Sequence, residues 1–134
     1  LLSRALGYRG AGGPFAVHAL SQVIAFGLEQ SRSEKIPLLV VCEAPLPQHN
    51  WEAAFSLCRK GGGLEWECTK YGLPIVFVKP HLWQDAMFGN RLNRLHGKAL
   101  SIALAQSMVS RTIQTDHQSD AALIGYWALH GGRA

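Results

Sequence analysis

Apolar residues recur at helical spacing between about Phe15 and Gln30, where Val17, Leu20, Val23, Ile24 and Leu28 fall on one face. Ile36 to Glu43 (IPLLVVCE) breaks that rhythm with a short continuous apolar run, rich in branched residues and opened by a proline. Such runs predict a strand covered on both faces of a parallel sheet. A loop, Ala44 to Asn50, separates it from a helix over Trp51 to Tyr71, which the triplet Gly61-Gly62-Gly63 is expected to interrupt. Each of those glycines costs a helix about 1 kcal/mol relative to alanine. The triplet therefore points to a close approach by another helix or backbone.

Leu73 to Val78 (LPIVFV) reads as a second buried strand, and Pro80 to Phe88 as a short helix ended by Gly89. Arg91 to Leu95 is a basic loop, Gly97 to Ser110 a helix, and a last helix runs from near Asp116 through Leu129 to Gly131-Gly132. Gly7 to Pro14 (GYRGAGGP) holds too many glycines for a regular element. The order of helices and strands predicts an α/β layered fold with parallel neighbours. Two strands make a poor sheet, and both read as central, so the pattern implies partners on the amino-terminal side. The expectation is one domain over residues 1–134, with 1–14 a loop or presequence-like segment and 15–134 folded, incomplete at its amino-terminal side.

Length agrees with one core: 134 residues suffice for a single domain and not for two. The formal charge of +4 is mildly basic and only compatible with a phosphate-rich partner. Cys42, Cys58 and Cys68 form no CxxC pair, which argues against a disulfide framework and a structural zinc site and for a reducing compartment. No apolar run approaches a membrane span, so no membrane partner is expected. Arg4 and Arg9 without any acid before Glu29 give the start the flavour of an organellar import signal. A sequence cut at its 5′ end would look the same. Bacterial or phage-host cytoplasm and the mitochondrial matrix all remain as intracellular locations.

Two places carry candidate chemistry. Glu43 is the one acid in its apolar run and sits at the carboxyl end of a strand, where ligands gather in open α/β sheets; it could equally face water because the strand has ended. His117 and Asp120 stand three apart at a helix start, on one face, able to share a divalent cation or move a proton. Asp116 is a candidate N-cap. Acids also favour any first helical turn for its dipole. Joined, Glu43 and Asp120 could supply carboxylates from separate elements to a two-metal phosphodiester site. Arg91, Arg94, His96 and Lys98 could grip a phosphate backbone, or be a solvated loop. Trp51, Trp66 and Trp83 read as core or interface residues rather than base-stacking platforms.

These residues together resemble the RuvC family of Holliday-junction resolvases. VVCEAP puts Glu43 in the place of the family's strand-end catalytic glutamate. Gly62 falls on a glycine of the family's second helix, Leu73-Pro74 on its Leu-Pro, PHLWQDAMFG on its Pro…Gly stretch, and Lys98 on the lysine opening the next helix. HQSDAALIG resembles its HxxDA-type ending, with His117 and Asp120 in metal-site positions. The resemblance spans roughly residues 36 to 131. It implies an RNase H-like, RuvC-type α/β fold and structure-selective cleavage of branched DNA with Mg2+ or Mn2+. It also implies a homodimer, with Lys98 at the phosphate and Arg91 and Arg94 on the DNA.

The sequence departs from the family in three ways. Nothing before residue 36 resembles the first strand with its D-P-G-type motif. Gln84 stands where many members have lysine, and Leu46 where some have a junction-wedging phenylalanine. A fragment of an active enzyme and a degenerate relative both fit, and no turnover is expected of these residues alone. The competing expectation is a catalytically inactive RuvC-like subunit with RNA and protein neighbours in a larger, organellar nucleoprotein. An α/β domain of unrelated function is the third.

Overall fold

The computed structural model describes residues 17–46, 49–89, 97–110 and 112–132, and only the backbone of 17–20. The expected glycine loop at 7–14 and the basic positions Arg91, Arg94 and His96 lie outside the described residues. Those residues form α1 (Val17–Glu34), β1 (Val40–Glu43), α2 (Trp51–Lys70), β2 (Ile75–Val78), α3 (Pro80–Phe88), α4 (Gly97–Met108) and α5 (Asp116–Leu129). The chain divides into two compact units, one holding α1 to β2 and the other α3 to α5. No helix among the described residues is long and apolar enough to cross a membrane.

In the first unit, β1 and β2 pair in parallel with Val40 opposite Ile75 and Glu43 opposite Val78. Both strands are shorter than the apolar runs that predict them, and the reason is local. Lys35 turns the chain out of α1 at φ 55, and the Ile36 N–H is claimed by Ser31 O at 3.1 Å. Pro37 has no N–H to give, so the ladder begins only where the Val40 N–H meets Pro74 O at 3.1 Å. Likewise the Leu73 N–H closes onto Cys68 O at the end of α2, leaving Ile75 as the first strand residue. Burial also differs from expectation. Val40, Val41 and Cys42 are half-buried, and Ile36 and Leu39 are exposed, rather than covered on both faces. A parallel pair is normally covered on both sides; among the described residues this one is covered chiefly where α1 and α2 bring Ile24, Leu28, Leu64 and Cys68 against Val40, Leu73 and Ile75.

The expected interruption of α2 does not occur: the helix runs unbroken through the glycine triplet. No backbone approaches Gly61. A Cβ there would touch the Phe77 ring at an ordinary 3.6 Å, and one at Gly62 would meet open space. The glycines are thus a local weakness that Asn50 helps offset, its side chain accepting the Glu52 N–H at 2.9 Å as N-cap. Glu67, one turn from the end of α2, is nearly covered and takes a 2.8 Å hydrogen bond from Ser21 on α1.

In the second unit, α5 packs against both α3 and α4. Trp83 and Phe88 of α3 are buried with their rings tilted and 6.2 Å apart. Ser101 and Ala105 of α4 are buried, as are Ser119, Ala122, Leu123 and Ile124 of α5. The small side chains among them, Ser101, Ala105, Ser119 and Ala122, let two helices approach closely. Gly131, at φ 90, and Gly132 close α5 as expected, and a Cβ on Gly132 would collide with the Trp127 indole.

Candidate active site

Glu43 ends β1 with its side chain exposed. The next ladder bond, Ala44 N–H to Val78 O at 2.8 Å, fixes the strand end, and Pro45 stops it. Beside it, burial pushes the Cys42 thiol up to about 11, with the Glu43 charge and Cys68 adding to the effect. Cys42 is therefore a half-buried cysteine held in its thiol form. Glu43 belongs to the first unit.

Lys98, His117 and Asp120 are all in the second unit, where the residues just before α5 are tied by hydrogen bonds to α4 and to α5 itself. Ile113 N–H is held by Gln106 Oε1 of α4 at 2.8 Å, and Gln118 Oε1 reaches back to Gln114 N–H at 2.8 Å. Thr115, not Asp116, is the N-cap: its Oγ1 accepts the Gln118 N–H at 3.2 Å. That leaves Asp116 as the first helical residue, free to reach across to α4. Its Oδ2 lies 2.8 Å from Lys98 Nζ. The bond to Lys98 holds the Asp116 carboxyl below the usual carboxylate range, and the same contact raises Lys98.

One turn on, Asp120 is half-buried and its Oδ1 accepts from Ser101 Oγ at 2.9 Å. Ser101 Oγ is also 2.8 Å from Ser119 Oγ, and Ser119 Oγ donates to Asp116 O at 2.7 Å. Two hydroxyl hydrogens serve three contacts, so one contact at a time lacks a proton. Burial raises the Asp120 pKa; the Ser101 hydrogen bond opposes it, the Asp116 charge adds to it, and His117 and Lys98 oppose it further. His117 is exposed at the rim of this cluster. A carboxylate kept partly desolvated between a lysine and a histidine is a group held at some cost, as functional acids often are.

Among the described residues, no three His, Cys, Asp or Glu side chains converge tightly enough to enclose a metal. The donor chemistry nevertheless fits an open half-site. Among the described residues the side-chain hydrogen bond to Asp120 goes to Oδ1, from Ser101, and Oδ2 is the oxygen left for a cation. Mg2+ commonly uses one or two carboxylates and keeps several waters; an imidazole such as His117 suits Mn2+ as a further donor. The sequence reading missed Ser101 and Ser119. Their signal was weak: two small polar residues at helix positions where an apolar one was expected. It also missed Asp116 as the partner of Lys98. Arg91 and Arg94 lie outside the described residues.

The mixed α/β architecture, with parallel strands joined through a helix and further helices following, has the RNase H-like fold. It is similar to the Thermus thermophilus RuvC structure, with a TM-score of 0.60 and 17% identity, covering 93% of this chain and 76% of that one. It is similar also to T. thermophilus RuvC in complex with Holliday junction substrate, with a TM-score of 0.59 and 14% identity, covering 93% of this chain and 77% of that one. No protein-family model and no curated protein matches the chain.

Proposed function

We propose that this chain is the nuclease portion of a structure-selective endonuclease acting on branched DNA, the two compact units being halves of one domain. The observation that carries the reading is the α4–α5 cluster. A partly buried aspartate is flanked by a histidine and a lysine, on a fold similar to a RuvC solved in complex with Holliday junction substrate. Mg2+ or Mn2+, when bound, would supply Lewis acidity and an activated water. Asp120 and Glu43 would hold it, and His117 would ligate or orient the water. Lys98 would set its ammonium against the charge growing on the phosphate, a preorganised electrostatic role. Arg91 and Arg94 would contact the DNA backbone. The active form would be a homodimer. Trp51, Phe55, Arg59 and Trp66, exposed along one side of α2 at steps of four, four and seven residues, are the surface to be covered, with Trp51 and Phe55 rings 5.7 Å apart.

The test is cleavage of a four-way junction by the full reading frame in Mg2+. Glu43→Gln and Asp120→Asn should each abolish cutting while leaving the fold intact. Undiminished cutting by Glu43→Gln ends the assignment.

A second reading has its own observation. Ile36 and Leu39 at the sheet and the aromatic residues of α2 are large exposed apolar groups, as expected of a non-catalytic subunit packed among RNA and protein neighbours. Recovery of the native protein as a free, metal-dependent dimer favours the nuclease. Recovery only within a larger nucleoprotein favours the subunit.

A further inference from the structure

Ser101 is 5% exposed and Ser119 is fully covered, yet both present hydroxyls to the same small space between α4 and α5. Buried hydroxyls on facing helices are costly unless bonded, and alanine would pack there without cost to either helix. What the pair achieves is geometric. Asp120 projects from the start of the second turn of α5, and its side-chain donor is not on its own helix. That donor is Ser101 Oγ, 2.9 Å from Oδ1, itself braced by Ser119 Oγ at 2.8 Å. With Asp120 ionised, the available hydrogens line up as Ser119 to Ser101 to Asp120, a chain in which each bond polarises the next. Asp116 O does not depend on the Ser119 hydroxyl, since an intrahelical N–H can serve it one turn later.

We propose that Ser101 is a positioning residue for Asp120: by occupying Oδ1 it fixes the carboxylate rotamer and turns Oδ2 alone toward a divalent cation shared with His117. This rests on the reading of Asp120 and His117 as cation ligands. Outer-sphere hydrogen bonds to a ligating group are typically worth 10–100-fold in metal affinity. The arrangement therefore commits Asp120 to single-oxygen ligation, which suits a small cation with several retained waters better than a large one taking both oxygens.

The experiment is a Mn2+ titration of the whole chain, followed by paramagnetic broadening of the His117 and Asp120 resonances. Asp120→Asn serves as the site control and the melting temperature is recorded for every variant. Ser101→Ala should bind Mn2+ at least about tenfold more weakly, within the range expected for an outer-sphere partner. Ser101→Thr, which restores a hydroxyl, should recover most of the loss. Should Ser101→Ala fail to fold, Ser101→Cys keeps the shape with a much weaker donor, and it should bind several-fold more weakly than wild type. Wild-type broadening at His117 and Asp120 that Asp120→Asn removes, combined with unchanged affinity in Ser101→Ala or in a folded Ser101→Cys, overturns the positioning role and leaves the ligand assignment standing. Absence of broadening in the wild type, with Asp120→Asn identical to it, overturns the ligand assignment, and the positioning role with it.

Discussion

Lys98 and Asp116 tie the first turn of α4 to the first turn of α5 through a 2.8 Å ion pair. Lys98 itself is largely in water, its side chain 85% exposed. An exposed pair of this kind contributes little to stability. Its consequence is for the proposed DNA contact: an ammonium that is to meet a phosphate is already partnered by a carboxylate. Asp116→Asn should therefore leave the melting temperature close to wild type while raising affinity for a four-way junction several-fold. The salt dependence of binding should steepen by about one phosphate contact, a log–log slope change of roughly 0.9. Lys98→Met should shift both quantities the opposite way. Fluorescence anisotropy across a salt series reads both, and an Asp116→Asn protein no tighter than wild type removes Lys98 from the phosphate.

Asp120 makes a prediction about pH. Burial raises its pKa above the unfolded value, so the folded chain holds that proton more tightly than the unfolded one. Its favourable contribution is fully present below the unfolded pKa and is lost as pH rises through the folded pKa. Once ionised, the group carries a partly desolvated charge that the Ser101 hydrogen bond only partly offsets. Asp120→Asn removes the charge and keeps an oxygen for Ser101. Its melting temperature should exceed that of wild type at pH 7, and the gap should close toward about pH 3, where the wild-type carboxyl is protonated. A functional acid is often retained against stability in this way. A gap independent of pH would show that packing, not charge, separates the two proteins.

Legibility in the sequence followed the strength of local signals. Helix ends with a proline or glycine at the boundary, as in Pro80–Phe88 and the close of α5, were readable to the residue. Strand starts were not, because Ile36 and Leu73 have strand composition but give their N–H groups to the ends of α1 and α2. The helix through Gly61 to Gly63 was misjudged because propensity counts each glycine against a helix, whereas a cost of about 1 kcal/mol per glycine is not enough to break a twenty-residue helix held at both ends. At the site, spacing alone put His117 and Asp120 on one helical face. The cap at Thr115, the Asp116–Lys98 pair and the hydroxyls of Ser101 and Ser119 depend on how α4 meets α5, and no periodicity within either helix encodes that meeting.

The tryptophans divide in a way that mutation can measure. Trp83 is 1% exposed and packs against Phe88, while Trp51 and Trp66 are 71% and 69% exposed. Trp83→Ala should cost about 3–5 kcal/mol, a large part of the stability of a domain this size. Trp51→Ala and Trp66→Ala should stay within about 0.5 kcal/mol in chemical denaturation of the monomer. If the exposed face of α2 joins two copies, the same two variants lower the sedimentation coefficient at micromolar protein concentrations. Equal destabilisation by all three substitutions is the outcome that removes the distinction between core and surface drawn for them.

Glu67 and Ser21 join α2 to α1 through a charge-assisted hydrogen bond of 2.8 Å, with Lys70 Nζ 3.2 Å away on the outer side. Glu67 is only 3% exposed, and its charge is met where it lies by Ser21 and Lys70. Accordingly the Ser21 bond outweighs burial, and the Glu67 pKa falls below its ordinary value, with Lys70 assisting. A depressed carboxylate contributes stability that is present above the unfolded pKa and lost as pH falls through the folded one. Ser21→Ala should thus lower the melting temperature most at pH 6 to 8, about the range in which the carboxylate is fully ionised. The deficit should shrink in acid, where protonated Glu67 and Ser21 keep only a neutral hydrogen bond, the weaker kind. Thermal melts of wild type and Ser21→Ala from acid to neutral pH decide it: a deficit that stays constant into acid assigns the contact to packing between the helices, and one that shrinks assigns it to the charge.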